Sequence, residues 1–196
     1  MKSNFKEFDL KMIRNVHADI HPLFLSRWSP RAFTGESISD QDVLATIEAG
    51  RLAFSSGNSQ PWRIIYAHKN TPKWDVLFNL LVDLNQEWVK NAGVLFLLLS
   101  KTSTDKGREL PTCSFDTGAF AISMALEATN RNLPMHFMAG FDYEKARKDF
   151  KIPDLYKVEA MACMGVPGPL DTLSVKNQER EKPSARIEID EIIYQH

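Results

Sequence analysis

Ser55-Ser56-Gly57-Asn58-Ser59-Gln60-Pro61-Trp62, followed by Arg63-Ile64-Ile65-Tyr66-Ala67, is the stretch from which the rest of the chain can be read. Hydroxyls, carboxamides and the flexible Gly57 share one turn, which Pro61 and Trp62 close. Uncharged donors and acceptors at that density suit a neutral, polar, multi-atom ligand. The five residues that follow read as a strand, so a rigid element holds the loop. On composition alone the loop is an ordinary Asn/Ser/Gly surface turn. Its meaning depends on a second motif upstream.

That motif is Arg27-Trp28-Ser29-Pro30-Arg31-Ala32-Phe33. Pro30 disfavours helix at Ser29, so the segment is extended or turned. Alternate residues of an extended segment point the same way, and Arg27, Ser29 and Arg31 can converge on one anion. Taken alone, the stretch is equally a solvated basic segment.

In sequence the two motifs resemble the flavin-dependent nitroreductase family, whose signature runs Arg-x-Ser-x-Arg/Lys-x-Phe, then Ser-Ser-x-Asn-x-Gln-Pro-Trp. The similarity continues through Asn85 and Trp88, through Asp116, Gly118 and Ala119 opening a long helix, and through Gly140-Phe141-Asp142, Gly165-Val166-Pro167 and Arg186. It spans nearly the whole chain. The resemblance implies an α+β fold with a mixed central β-sheet covered by helices, an α/β sandwich assembled as an intertwined homodimer. Residues 1–196 would form one such domain, the C-terminal tail from about 171 to 196 extending over the partner subunit.

The resemblance also implies flavin mononucleotide (FMN) as cofactor, bound at the dimer interface. Arg27, Ser29 and Arg186 are then expected at its phosphate. Arg31 is expected at the ring edge, where negative charge gathers on reduction. Ser55, Ser56, Asn58, Gln60 and Asn85 are expected to bond the pyrimidine and ribityl groups, the Ser55–Gln60 loop coming from the opposite subunit. Backbone around Met138, Ala139 and Gly140 is expected close to the flavin ring, Gly140 permitting the approach. Trp28 stands where the family often has Arg or His, so a polar contact there becomes a packing contact. Phe54, Glu87, Ala139 and Asn132-Leu133 also depart from the family pattern and leave nitroaromatic specificity open.

The implied activity is hydride transfer from NAD(P)H through the flavin to a small organic acceptor, such as a nitro compound or quinone, in ping-pong order. Two alternatives remain beside it. One is an FMN-binding protein that sequesters flavin without turnover. The other is the same fold with different flavin chemistry: fragmentation, dehalogenation or dehydrogenation. No side-chain acid or base is required, and the chain lacks the Gly-x-Gly-x-x-Gly of a stably held dinucleotide.

Composition agrees with an ordinary domain. The 196 residues are 43% hydrophobic and 25% charged, with a formal net charge of −1, which gives no general attraction to nucleic acid or anionic membrane. The first six residues lack the apolar run of a signal peptide, and Val94–Leu99 is too short to span a bilayer, so a cytoplasmic protein is expected. Cys113 and Cys163 read as buried thiols, and the pair His17/His21, followed by Pro22, is not expected to hold metal.

Periodicity and caps predict helices over about 9–18, from Ser39 as cap to about Gly50, from Thr71 as cap over Pro72–Leu84, and over Cys113–Asn132. A short turn is expected at Asn85–Lys90, and a helix capped by Asp142 running to Phe150, whose basic residues Lys145, Arg147 and Lys148 face solvent. Strands are predicted at 63–67, 94–99, 135–139 and 158–164, with alternation over Arg186–Asp190 suggesting an edge strand.

Overall fold

The apolar run Val94–Leu99 lies within a strand buried along nearly its whole length, because both of its faces are covered. In a computed structural model, which describes residues 8–194, this strand is β2 (Val94–Lys101). It lies between β1 (Trp62–His68) and β4 (Tyr156–Met164), and β3 (Met135–Met138) completes the order β1-β2-β4-β3. Each of the three pairings is antiparallel, with a register shift at Leu98/Leu99. The α+β class is as expected. The sheet of the described chain, however, is antiparallel throughout where a mixed sheet was expected.

Strand alternation sorts the core into two layers. Leu95, Leu97, Leu99, Met161, Cys163 and Met138 face Trp74 and Leu77 of α4 (Pro72–Phe78), Trp88 and Val89 of α5 (Asp83–Val89), and Ala146 of α7 (Tyr143–Asp149). Val94, Phe96, Leu98, Ala162, Met164 and Met135 face Val43 of α3 (Asp40–Arg51) and Phe120, Met124 and Ala128 of α6 (Cys113–Asn130). α3 and α6 pack closely: a Cβ on Gly50 would come 2.7 Å from the Phe120 ring. Both cysteines are buried and free.

The predicted caps form as local chemistry dictates. Ser39, Thr71 and Asp142 accept from the backbone N–H of Asp42, Trp74 and Lys145, each three residues on. Several boundaries differ. The helix expected over Pro72–Leu84 stops at Phe78, because Leu80 and Leu81 turn inward and are buried, and α5 then begins at Asp83. The helix expected over 9–18 is the single turn α1 (Leu10–Ile13). Asn15 takes φ 48° and ends it, turning Arg14 into the fold. α2 (Pro22–Ser26) follows, with the ring of His21 accepting from Leu23 N–H at its start.

At the C-terminus the expected edge strand is absent among the described residues. Arg186–Glu188 is irregular, and the short helix α9 (Ile189–Ile192) carries a reciprocal Glu188/Glu191 capping box that outweighs the alternation. The tail begins by packing on its own subunit: Leu173, Asn177 of α8 (Val175–Glu179), Glu181 and Pro183 are buried, whereas residues 184–194 are exposed. No helix among the described residues is long and apolar enough to cross a membrane.

Candidate functional site

The Arg27–Phe33 motif is pinned from three sides. Phe33 is fully buried and bridges Pro167, while Gly168 N–H donates to Ala32 O at 2.8 Å and Thr34 N–H to Val166 O at 3.0 Å. Gly168 must be glycine here, since a Cβ would sit 2.6 Å from the Phe33 carbonyl carbon. Glu181 takes the N–H of Arg31 on both carboxylate oxygens, at 2.8 and 2.9 Å, and that of Ala32 at 2.9 Å. Pro30 O bonds the Nδ1 of His136 at 2.9 Å.

The segment so held forms one wall of a cleft of about 420 Å³. Arg27, Trp28, Ser29, Arg31 and Arg186, far apart in sequence, all line it. They are joined by residues that sequence reasoning missed: Arg14, His136, Arg180 and Lys182. Of these, His136 had a visible signal, being the polar member of an apolar strand on the same face as Met138. Arg14 had none, since its segment read as a surface helix.

The cationic side chains of the cleft are not ion-paired among the described residues: no carboxylate forms an ion pair with Arg14, Arg27, Arg31, Arg180, Lys182 or Arg186. Burial first, and then the charges of Arg186 and Arg27, together lower the Arg14 pKa to about 10. Arg27 is lowered by burial and by Arg186. Arg31 is lowered by burial and by Arg180, partly offset by Glu181. Guanidinium groups gathered against their mutual repulsion suit an anion.

His136 contributes differently. Burial holds its pKa down to about 4, so the ring is neutral near pH 7. A carbonyl only accepts, so the bond to Pro30 O places the proton on Nδ1 and leaves Nε2 a hydrogen-bond acceptor. Trp88 lies beside it, ring centroids 4.5 Å apart, and the Arg31 guanidinium stands 5.8 Å over the Trp88 ring. Arg31 is therefore held by its backbone, by the aromatic face and by Nη1 donating to Arg180 O at 3.4 Å.

Met138, Ala139 and Gly140 end the strand that carries His136. Met138 is buried and Ala139 exposed. Asn85, from α5, donates its Nδ2 to Gly140 O at 3.0 Å. A Cβ on Gly140 would lie 2.8 Å from that same Nδ2, so the glycine makes room for Asn85.

The Ser55–Gln60 loop does not line this cleft. It leads into β1 at the end of the sheet away from His136, folded by backbone that few residues tolerate: Gly57, Asn58 and Gln60 take φ of 55°, 52° and 46°. Ser55 Oγ accepts from Gln60 N–H at 3.0 Å, and Gln60 Nε2 donates to Asn58 O. Buried Asp116 ties the loop to α6, accepting from Ser56 N–H at 3.3 Å and from Thr112 Oγ1 at 3.1 Å. Ser56, Gly57 and Asn58 are exposed, beside Phe54 and Phe115, whose rings lie 5.9 Å apart at the surface. Within the described chain, then, Arg27, Trp28, Ser29, Arg31 and Arg186 line the cleft, whereas neither the Ser55–Gln60 loop nor Asn85 and Met138–Gly140 are among its lining residues.

Comparison with known proteins gives a consistent picture. The Nitroreductase family profile matches residues 25–166. A crystal structure of an oxidoreductase containing FMN is 35% identical, with a TM-score of 0.89, over 93% of this chain and 94% of that one. A nitroreductase family protein from Streptococcus pneumoniae TIGR4 shares the fold at 22% identity, with a TM-score of 0.70, over 89% of this chain and 98% of that one. An uncharacterized 15.4 kDa protein of Mycolicibacterium smegmatis is 27% identical over 115 residues, 58% of this chain and 77% of its own length.

Proposed function

The chain belongs to the nitroreductase family, and from that membership we propose that it is an FMN-dependent oxidoreductase using NADH or NADPH to reduce a small organic acceptor. The observation that carries the reading is the cationic cleft, without an ion-paired carboxylate among the described residues, in which Arg27, Ser29, Arg31 and Arg186 meet. A phosphate dianion is the kind of ligand such a cleft favours.

The residues present fit FMN. Arg27, Ser29 and Arg186 hold the phosphate. The neutral groups of the cofactor meet the fixed Nε2 acceptor of His136 and the carboxamide of Asn85. When bound, FMN supplies two-electron redox chemistry connecting nicotinamide to an acceptor such as a nitro compound or quinone. Arg31 is positioned before any reaction begins, by Glu181 and Trp88, so its charge needs no rearrangement to favour an anionic ring edge. Backbone at Met138–Gly140 lies beyond His136, at the C-terminal end of β3. Reductant and acceptor take turns at one open face, which makes the kinetics ping-pong.

The separation of the Ser55–Gln60 loop from the cleft supports a composite site, in which a second subunit brings its own loop to the first subunit's arginines. An intertwined homodimer also accounts for apolar side chains left at the surface of one subunit: Phe54 and Phe115 at 66% exposure and Ile122 at 45%.

Purified protein should be yellow, close to one FMN per chain, dimeric by light scattering at low micromolar concentration, and bleached anaerobically by NADH or NADPH. A colourless protein that fails to bind added FMN overturns the reading. A flavin-loaded protein that neither nucleotide bleaches leaves cofactor binding and removes the activity.

A further inference from the structure

The segment that precedes the family-matched region carries a charge the proposed reaction has not used. Arg14 is 6% exposed. Two backbone carbonyls fix its guanidinium: Nη1 donates to Phe24 O at 3.0 Å and Nη2 to Arg27 O at 2.7 Å. Its Nε is buried without a hydrogen-bond partner. Arg14 forms part of the cleft wall with Arg27 and Arg186, and no carboxylate among the described residues pairs with it. The nearby carboxylate of Glu188 is taken by Asn15, whose Nδ2 donates to both oxygens at 2.7 and 2.8 Å. The two terminal segments thus meet beside the cleft, and both lie outside residues 25–166.

A cation removed from water is costly unless an opposite charge compensates it. Two carbonyls satisfy part of the guanidinium, and a neutral donor would cap those carbonyls without repulsion from Arg27 and Arg186. Burial and those two like charges both disfavour the charged form of Arg14. The arrangement is therefore incomplete without an anion.

We propose that Arg14 is a further binding residue for the anionic end of the ligand in this cleft, holding the Arg27 backbone while adding its own charge. The phosphate of FMN is then bound by Arg14, Arg27 and Arg186 jointly, one of them supplied by an N-terminal segment that the family profile does not include. This inference rests on the reading of the cleft as the FMN phosphate site.

The test compares the full-length wild type, Arg14→Met and Arg14→Lys, each freed of flavin. Inorganic phosphate is titrated first while Tm is followed, and FMN next while flavin fluorescence is followed. Phosphate should raise the wild-type Tm, and Arg14→Met should abolish most of that rise and weaken FMN binding by roughly tenfold or more. Arg14→Lys should recover much of both, because it keeps the charge. A clamp that serves only folding behaves differently: both variants lower the ligand-free Tm, yet the phosphate-induced rise and the FMN affinity match wild type, and that result overturns the proposal. A wild type that responds to phosphate but not to FMN sinks the cofactor reading, while loss of the response in Arg14→Met still upholds the role of Arg14. If Arg14→Met does not fold, hydrogen exchange on the wild type decides. Phosphate must slow exchange at the amides of Arg14, Asn15 and Val16, and unchanged exchange there overturns the proposal.

Discussion

Glu181 grips the backbone N–H of Arg31 with both carboxylate oxygens, at 2.8 and 2.9 Å, across 150 residues of chain. One of those oxygens also accepts from Ala32, so a single carboxylate sets the direction of the segment from which Arg31 projects. Burial raises the pKa of Glu181, and these amide bonds oppose the rise. The carboxylate orients Arg31 through the main chain and leaves the guanidinium free of an ion pair.

Glu181→Ala should leave the buried Ala32 N–H without its acceptor and cost about 1–3 kcal/mol of stability. Glu181→Gln, which keeps one acceptor oxygen, should cost less. Chemical denaturation of the two variants beside wild type checks this order, and equal losses would mean that packing, not the carboxylate, holds the segment.

His136 makes stability depend on pH. Its folded pKa of about 4 lies below the ordinary 6.5, so the unfolded chain takes up the proton first as pH falls. The contribution is full above pH ~6.5, declines through the window down to ~4 and is then lost, amounting to something on the order of 3 kcal/mol. His136→Gln should flatten the unfolding free energy between pH 7 and pH 4.5. An unchanged slope would assign the dependence to other groups.

Arg27 and Arg31 should separate binding from reduction. Arg27→Ala should weaken FMN binding by ~1.5–3 kcal/mol, the scale of a charge-assisted hydrogen bond. Arg31→Ala should slow flavin reduction more than it weakens binding, because the charge it stabilises arises only as hydride arrives. Stopped-flow bleaching and equilibrium titration together check both. Equal losses in Arg31→Ala would make it a simple cofactor anchor.

Gly140→Ala should displace the Asn85 carboxamide, since its Cβ falls 2.8 Å from Nδ2. A flexible side-chain end can give way, so the fold should survive with a loss of about 1–2 kcal/mol, while FMN binding weakens. In combination with Asn85→Ala the two losses should be strongly non-additive, as a double-mutant cycle of FMN affinity will show. Additive losses would mean that Gly140 acts independently of Asn85.

The caps at Ser39, Thr71 and Asp142 were legible because the partner of each lies three residues away, and short apolar runs marked the strands at 94–99 and 158–164 because burial on both faces favours a continuous apolar run. The basic and polar motifs were legible as motifs for the same reason: each is a short run whose chemistry is written in consecutive residues. The break after Phe78 was not, since it depends on Leu80 and Leu81 finding a core built by distant strands. Nor was the helix at Ile189, where a capping box of exposed side chains prevailed over an alternating pattern.

Residue chemistry along the chain was enough to group Arg27, Ser29 and Arg31 as partners for one anion, and the family resemblance added Arg186, which lines the same cleft. It was not enough to add Arg14, His136 and Arg180. Propensity and capping act over a few residues, whereas a shared cleft is set by how strands pair and terminal segments pack over them. Glu181 reaching back to Arg31, and Arg14 reaching forward to Arg27, are consequences of that packing, and no local pattern encodes them.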